Sequence, residues 1–284
     1  KTYGINFENV LAITFTNKAA NEMKDRISDL LNLELSPKWI STFHSLCVKM
    51  LRIHGHLIGF NNNFTIYDQS DSTKLVRNCM RDSDIDTKQY SPKRIQAHIS
   101  SLKNQRILPG EAVEFAQSFF DVKVAEIYSS YQKKLMLANS MDFDDLLIKA
   151  VELLETSDKS LNYWSSKFQY IMIDEYQDTN MVQYRLVELL ASKHKNICVV
   201  GDSDQSIYAF RGADIRNIEE FESDFKNAKV ISLEKNYRSS QKILDIANAV
   251  ISNNPRKKDK KLWTDNDEGL DVNLVEFNSE RDES

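Results

Sequence analysis

The sequence predicts an α/β protein whose core is a parallel sheet flanked by helices. Two observations carry this: short apolar runs that each end in polar residues, and helical patterns lying between them. The runs are Val10 to Phe15, Tyr170 to Asp174, Ile197 to Gly201 and Val230 to Leu233, and each is expected as a fully buried strand. The first is followed by Ala20, Met23, Ile27, Leu30 and Leu31 at helical spacing, the second by Val182, Leu186, Leu189 and Leu190. A shorter strand is expected at Trp39-Ile40.

A third observation divides the chain. From Ser70 to Asn139 the apolar residues Val113, Phe115, Ala116, Phe119, Phe120, Val124, Ile127, Tyr128, Tyr131 and Leu135 keep a long helical period, with no convincing strand. This predicts an all-helical insertion subdomain at 70–139, inside a first domain made of 1–69 and 140–238. Asp142-Phe143-Asp144-Asp145-Leu146 opens a new helix, with Asp142 as N-cap and further acids in the first turn, where they suit the helix dipole. Residues 239–284 are expected to begin a second domain: a helix after Arg238 to about Asn253, the basic segment Arg256 to Lys261, and one strand, Val272 to Phe277. A single strand closes no sheet, so the chain is expected to stop inside that domain.

Composition narrows the function classes. Hydrophobic residues make up 41% and charged residues 28%, an ordinary globular mixture, and no apolar run reaches the roughly 20 residues of a membrane helix. The three cysteines, Cys47, Cys79 and Cys198, are scattered and lack any CxxC or Cys/His spacing, so neither a disulfide framework nor a zinc site is expected. A reducing, cytoplasmic setting fits that usage. With a net charge of −5, any nucleic-acid role must rest on a local patch.

Five segments carry candidate chemistry. Ile171-Met172-Ile173-Asp174-Glu175 is an apolar run ending in two carboxylates, at the strand end that faces the ligand crevice of a parallel sheet. The first acid can hold Mg²⁺ and the second can activate a water, although an acidic helix cap would read the same way. After Gly201 come Asp202, Ser203, Asp204 and Gln205, whose neutral amide can both donate to a phosphate and accept from water. Tyr208, Phe210 and Arg211 then combine aromatic faces with a cation, as single-strand binding requires, or simply form a turn with core aromatics. Arg238 beside Tyr237 suits a phosphate and a purine, or a surface ion pair. Thr14-Phe15-Thr16-Asn17 and Ser41-Thr42-Phe43-His44 offer hydroxyls and amides at strand-to-helix turns, as phosphate contacts or plain helix caps.

Taken in order, Ala12 to Ala20, Ser41 to Ser45, Asp142 to Leu146, Asp174 to Thr179, Gly201 to Tyr208 and Asn236 to Ser239 resemble the signature motifs of the superfamily-one UvrD/PcrA/Rep helicases, with spelling nearest the PcrA type. The resemblance covers nearly the whole chain and implies a RecA-like motor domain that couples ATP hydrolysis to 3′ to 5′ movement on DNA, in repair or replication. It implies Asp174 for Mg²⁺, Glu175 for the hydrolytic water, Gln205 and Arg238 for the γ-phosphate, and Tyr237 stacked on adenine. Phe15, Thr16, Asn17, Thr42, His44, Tyr208, Phe210 and Arg211 would line the single-strand path, Phe210 standing where many relatives carry tryptophan. The helical insertion would meet duplex DNA. Repair or replication proteins are partners by family alone.

No GxxxxGK[ST] loop occurs in the sequence, which holds seven glycines. Lys1-Thr2 is read as lying beyond such a loop, because the helix and turn that follow one need roughly 12 to 20 residues before the strand at Val10. The chain alone is therefore expected to lack ATPase and unwinding activity. Other readings stay open: an ATP-independent single-strand binding module, a helicase-nuclease subunit, and, more distantly, a phosphatase built on Asp174, Asp202 and Asp204.

Overall fold

The computed structural model describes residues 4–32, 37–254, 260–273, 275–277 and 279, leaving aside the side chain of Arg211. Lys1 and Thr2, and the basic segment up to residue 259, lie outside the described residues. Two compact units emerge, Lys1–Ile218 and Glu219–Ser284, dividing ahead of the Arg238/Ser239 boundary expected from the sequence.

In the first unit, strands β1 (Val10–Ile13), β2 (Ile40–Ser41), β5 (Tyr170–Ile173) and β6 (Ile197–Val199) form a sheet in the order β2-β1-β5-β6. Every pairing is parallel, with Leu11 opposite Ile171 and Met172 opposite Cys198. The expected parallel sheet is therefore present, and β1 and β2 are buried on both faces, at Leu11, Ala12, Ile13, Ile40 and Ser41, whereas β5 and β6 are not. Ile171 and Ile173 are buried while Tyr170 and Met172 are exposed, and Cys198 opens to the same solvent. Alternation of this kind marks a strand covered on one face only.

Helices α1 (Asn17–Leu31), α2 (Phe43–His54), α6 (Phe143–Thr156), α7 (Asp158–Lys167) and α8 (Met181–Ala191) flank the sheet, with α6 packed on α2, α7 and α8. Most begin on a side-chain cap: Thr16 accepts from the Ala19 amide, Thr42 from Ser45 and Asn180 from Gln183, in each case satisfying an N–H that the helix cannot. Trp39, Trp164 and Phe168 meet edge-on and stacked beneath them, all at most 3% exposed.

The insertion holds α3 (Gln69–Asp82), α4 (Pro92–Asn104) and α5 (Phe119–Leu137) around a core of its own, including Val76, Met80, Ile95, Ile99, Val124, Ile127 and Tyr128. The long periodic helix starts later than its apolar spacing suggested. Val113 and Phe115 are exposed on turns, and α5 begins after Ser118, whose hydroxyl caps the Asp121 amide. The insertion leaves through β3 (Thr65–Ile66) and returns through β4 (Ser140–Met141), a parallel pair too short to show any period in the sequence.

One ion cluster ties the insertion to the sheet domain. Lys103, 1% exposed on α4, donates to Asp142 Oδ2 and Asp145 Oδ1, each at 2.7 Å. Those acids form the capping box of α6, and the Tyr131 hydroxyl from α5 also donates to Asp142, at 2.8 Å. Burial pulls the lysine down, yet Asp145 and Asp142 outweigh it and hold the ammonium above its ordinary pKa. Burial also pushes both carboxyls up; the Lys103 charge and hydrogen bonds reverse this for Asp142, which lies below its ordinary value. Asp145, further loaded by Asp142, is pushed up to about 6. One cation thus serves two carboxylates.

In the second unit the helix Gln241–Ile251 forms, while two expected strands do not. Val230, Ile231 and Leu233 are exposed and unpaired, and the described residues of 272–277 carry no strand. A strand exists only with a ladder partner, and the single bridge among the described residues here is Lys235 with Trp263.

Replacing Lys103 with Met strands two buried carboxylates, and stability is expected to fall by about 3–5 kcal/mol in urea unfolding. Without the cation both carboxyls titrate higher in the folded chain than in the unfolded one, so the folded chain binds more protons and gains stability as pH falls. The parent meanwhile loses the Asp142 contribution on acidification, so the deficit should narrow toward acid pH. A deficit constant across that range would refute the buried-charge account.

Candidate active site and nucleic-acid groove

Parallel pairing brings the carboxyl ends of β1, β5 and β6 to one edge, and the residues beyond them close a small cavity of about 270 Å³. Asp174, Glu175, Gln177, Asp178 and Gln205 line it together with Thr14, Phe15, Thr16 and Tyr208. Asp174 is half-buried; burial and then the neighbouring Glu175 raise its carboxyl, opposed by hydrogen bonds from the Glu175 backbone and the Thr14 side chain. Asp178 is raised by burial and by the same glutamate.

Glu175 turns the chain sharply, at φ 53° and ψ 44°, a left-handed conformation that costs a residue bearing a side chain about 1–2 kcal/mol. Gln177 holds that turn. It is 1% exposed; its Nε2 donates to Glu175 Oε2 at 2.7 Å and its Oε1 accepts from the Asp202 amide at 3.1 Å. The side-chain amide therefore clamps the carboxylate loop to the loop after β6. Gly201 makes room for it: a Cβ there would stand 2.5 Å from Gln177 Oε1 and 2.8 Å from Ile218 Cδ1. Gln205 donates its Nε2 to Asp202 Oδ2 at 2.9 Å, which sets its place in the second loop.

A larger groove of about 760 Å³ lies on the other side of the same residues. Phe15, Asp178 and Tyr208 line both cavities. The rings of Phe15 and Tyr208 stack at 5.0 Å, and Tyr208 and Phe210 follow at 5.9 Å. His44 also faces this groove, its pKa lowered by burial, with its ring 5.6 Å from Phe143. The far wall comes from the insertion through Gln96, Ser100 and Asn104. Asn104 donates to Asp144 at 3.3 Å and accepts from Asn180 at 2.6 Å, joining insertion, α6 and the carboxylate loop.

The structure thus gathers Asp174, Glu175 and Gln205 at one cavity with Thr16, and His44 and Phe210 at the other, with Phe15 and Tyr208 common to both. Asn17 and Thr42 line neither; Asn17 opens α1, and the Thr42 hydroxyl caps α2. Tyr237 and Arg238 belong to the second unit, where both are exposed and the Asn236 side chain accepts from the Arg238 amide. Arg211 lies on the short turn after Tyr208. Sequence reasoning missed two residues. Phe143, 55% exposed at the first position of α6, reads as a helix-start residue until the groove is seen, and nothing but the fold shows that Gln177 faces inward.

The parallel sheet carries paired acids at its carboxyl edge, backed by an aromatic groove, and the chain belongs to the UvrD/REP helicase family. The family's N-terminal domain profile matches residues 1–226, and the UvrD-like helicase C-terminal domain profile matches residues 231–284. Over 276 residues the chain is 49% identical to the ATP-dependent DNA helicase PcrA of Staphylococcus aureus (strain Mu50 / ATCC 700699), covering 97% of this chain and 38% of that protein. Over 272 residues it is 48% identical to the protein of the same name from Bacillus subtilis (strain 168), covering 96% and 37%. The chain spans well under half the length of these curated relatives.

Gly201→Ala is expected to drive Gln177 from its clamp and to cost about 1–3 kcal/mol by overpacking, read from chemical denaturation. Unchanged stability would mean that the two loops are not packed this closely.

Proposed function

We propose that this chain carries the water-activating part of an ATP-dependent DNA helicase motor that moves 3′ to 5′ along single-stranded DNA. The observation that carries the reading is the shared wall: Phe15, Asp178 and Tyr208 face the carboxylate cavity on one side and the groove on the other. A change on either side of that wall is felt on the other without a long relay.

Mg²⁺ fits the donor set. The raised Asp174 beside Glu175 is an excess of negative charge that a divalent cation relieves. Asp174 would hold it, and the ion would supply charge stabilisation for a transferring phosphoryl group.

Glu175, fixed by Gln177, accepts the proton of the water that attacks the γ-phosphate of ATP. Gln205 donates to the terminal phosphate, and its loop runs directly into Tyr208, so the presence of that phosphate bears on the aromatic wall. By the family motif alone, Arg238 serves a γ-phosphate and Tyr237 stacks on adenine. In the groove, bases stack on Phe15, Tyr208, Phe210 and Phe143 beside His44. Thr16, Asn17 and Thr42 lie outside its lining, and they and Arg211 are assigned to the single-strand path by the family motif alone. The insertion meets the duplex ahead. Repair or replication proteins are the partners that this activity calls for.

A second reading is favoured by one observation, the lack of a P-loop motif in these residues. On it, this chain alone binds single-stranded DNA without turning over ATP. Phe15→Ala and Tyr208→Ala are each expected to weaken binding of labelled single-stranded DNA by about 1–3 kcal/mol in fluorescence anisotropy. Wild-type affinity in both variants would remove the groove assignment. The chain alone is expected to show no DNA-stimulated phosphate release; release that is present and vanishes in Glu175→Gln would show the site to be complete without the loop.

A further inference from the structure

All four strands of the main sheet are parallel, so their amino ends share one edge, opposite the carboxylates. That edge is cationic. Lys38 precedes β2, Lys167 precedes β5, and Lys193 and Lys195 precede β6, while Lys49 reaches it from α2. The ammonium groups of Lys38, Lys49 and Lys167 lie 5.2, 5.4 and 4.9 Å from the centre of the Trp39 ring, and Lys49 donates to the Lys38 carbonyl at 2.6 Å. Lys193 donates to Ser166 at 2.6 Å, beside Lys167.

Among the described residues none of these five lysines pairs with a carboxylate. Glu8 is the acid acting on Lys49, and its Oε2 already accepts from Trp39 Nε1 at 2.9 Å. Burial, then Lys24 and Lys38, lower the Lys49 pKa, and Glu8 offsets this only in part. The chain carries 42 acids and a net charge of −5, so the lack of pairing here is not a shortage of acids.

We infer that this edge is a second nucleic-acid contact, one that holds the phosphate backbone of duplex DNA. The lysines run from β2 across β1 and β5 to β6, three strand spacings or about 14 Å. Over that width a duplex presents several phosphates, at one charge per about 1.7 Å of its axis. The rings beneath, Trp39 and Phe168, are buried and offer bases no stacking surface. Point charges on flexible stems, with no apolar pocket between them, suit a repeating phosphate chain better than an acidic peptide, whose other side chains would find nothing to enter.

The test is anisotropy titration of a short blunt labelled duplex against this chain at several salt concentrations. In Lys38→Gln/Lys49→Gln/Lys167→Gln the log-log salt slope should fall by about three, with single-strand binding at the aromatic groove retained. Lys167→Gln alone, which breaks no hydrogen bond among the described residues, should lower the slope by about one and keeps the test valid if the triple variant fails to fold. Unchanged duplex affinity and slope in Lys167→Gln and the triple variant overturn the inference. So does displacement of the duplex by polyglutamate at matched charge with equal effectiveness, which would point to an acidic protein partner.

Discussion

Lys103 is the residue on which the rest of the first unit depends. Its ammonium satisfies the capping box of the helix that begins the return into the sheet domain, and it does so from the insertion, so neither part is electrically complete alone. Burying one cation with two carboxylates is not a cheap way to gain stability, since desolvation offsets much of the attraction. What it supplies is register. An ammonium that must meet two fixed oxygens at hydrogen-bond distance leaves the insertion one seat, and Asn104, the next residue along, reaches Asp144 and Asn180 from that seat.

The seat sets the groove, because the insertion provides its far wall. The near wall is the aromatic row on the loops after β1 and β6, and the loop after β6 is joined through Gln177 to the carboxylate turn. The strained Glu175 backbone, the buried amide and the vacant side-chain position at Gly201 are one arrangement rather than three features. Of these contacts, Gln177 to the Asp202 amide is the one that joins segments distant in sequence.

Much of the fold and part of the candidate site could be read from the residues. Apolar runs such as Ile171 to Ile173 announce strands because parallel pairing buries at least one face, and the acids beyond them fall at the ligand edge by topology alone. Asp142 was legible as a cap because a capping box is local in sequence. Its partner Lys103 was not, since a lone lysine in a helical stretch reads as a solvated surface residue until its neighbours are known. Val230 to Leu233 failed for the converse reason: their composition suits a strand, but pairing is a property of two segments and no described segment pairs with them. Phe143 was hidden by its own motif, whose acids explain a helix start so well that the exposed ring between them goes unremarked.

The two-residue strands at the base of the insertion have a mechanical meaning. In the parallel pair β3 and β4, the chain departs from the carboxyl end of one and re-enters at the amino end of the other, with the Thr65 amide donating to the Asn139 carbonyl and the Tyr67 amide to Met141. A pull that draws the insertion away from the sheet domain therefore acts on opposite ends of the pair. Both bonds are sheared together instead of being peeled in turn, so a very short ladder resists separation better than its length suggests.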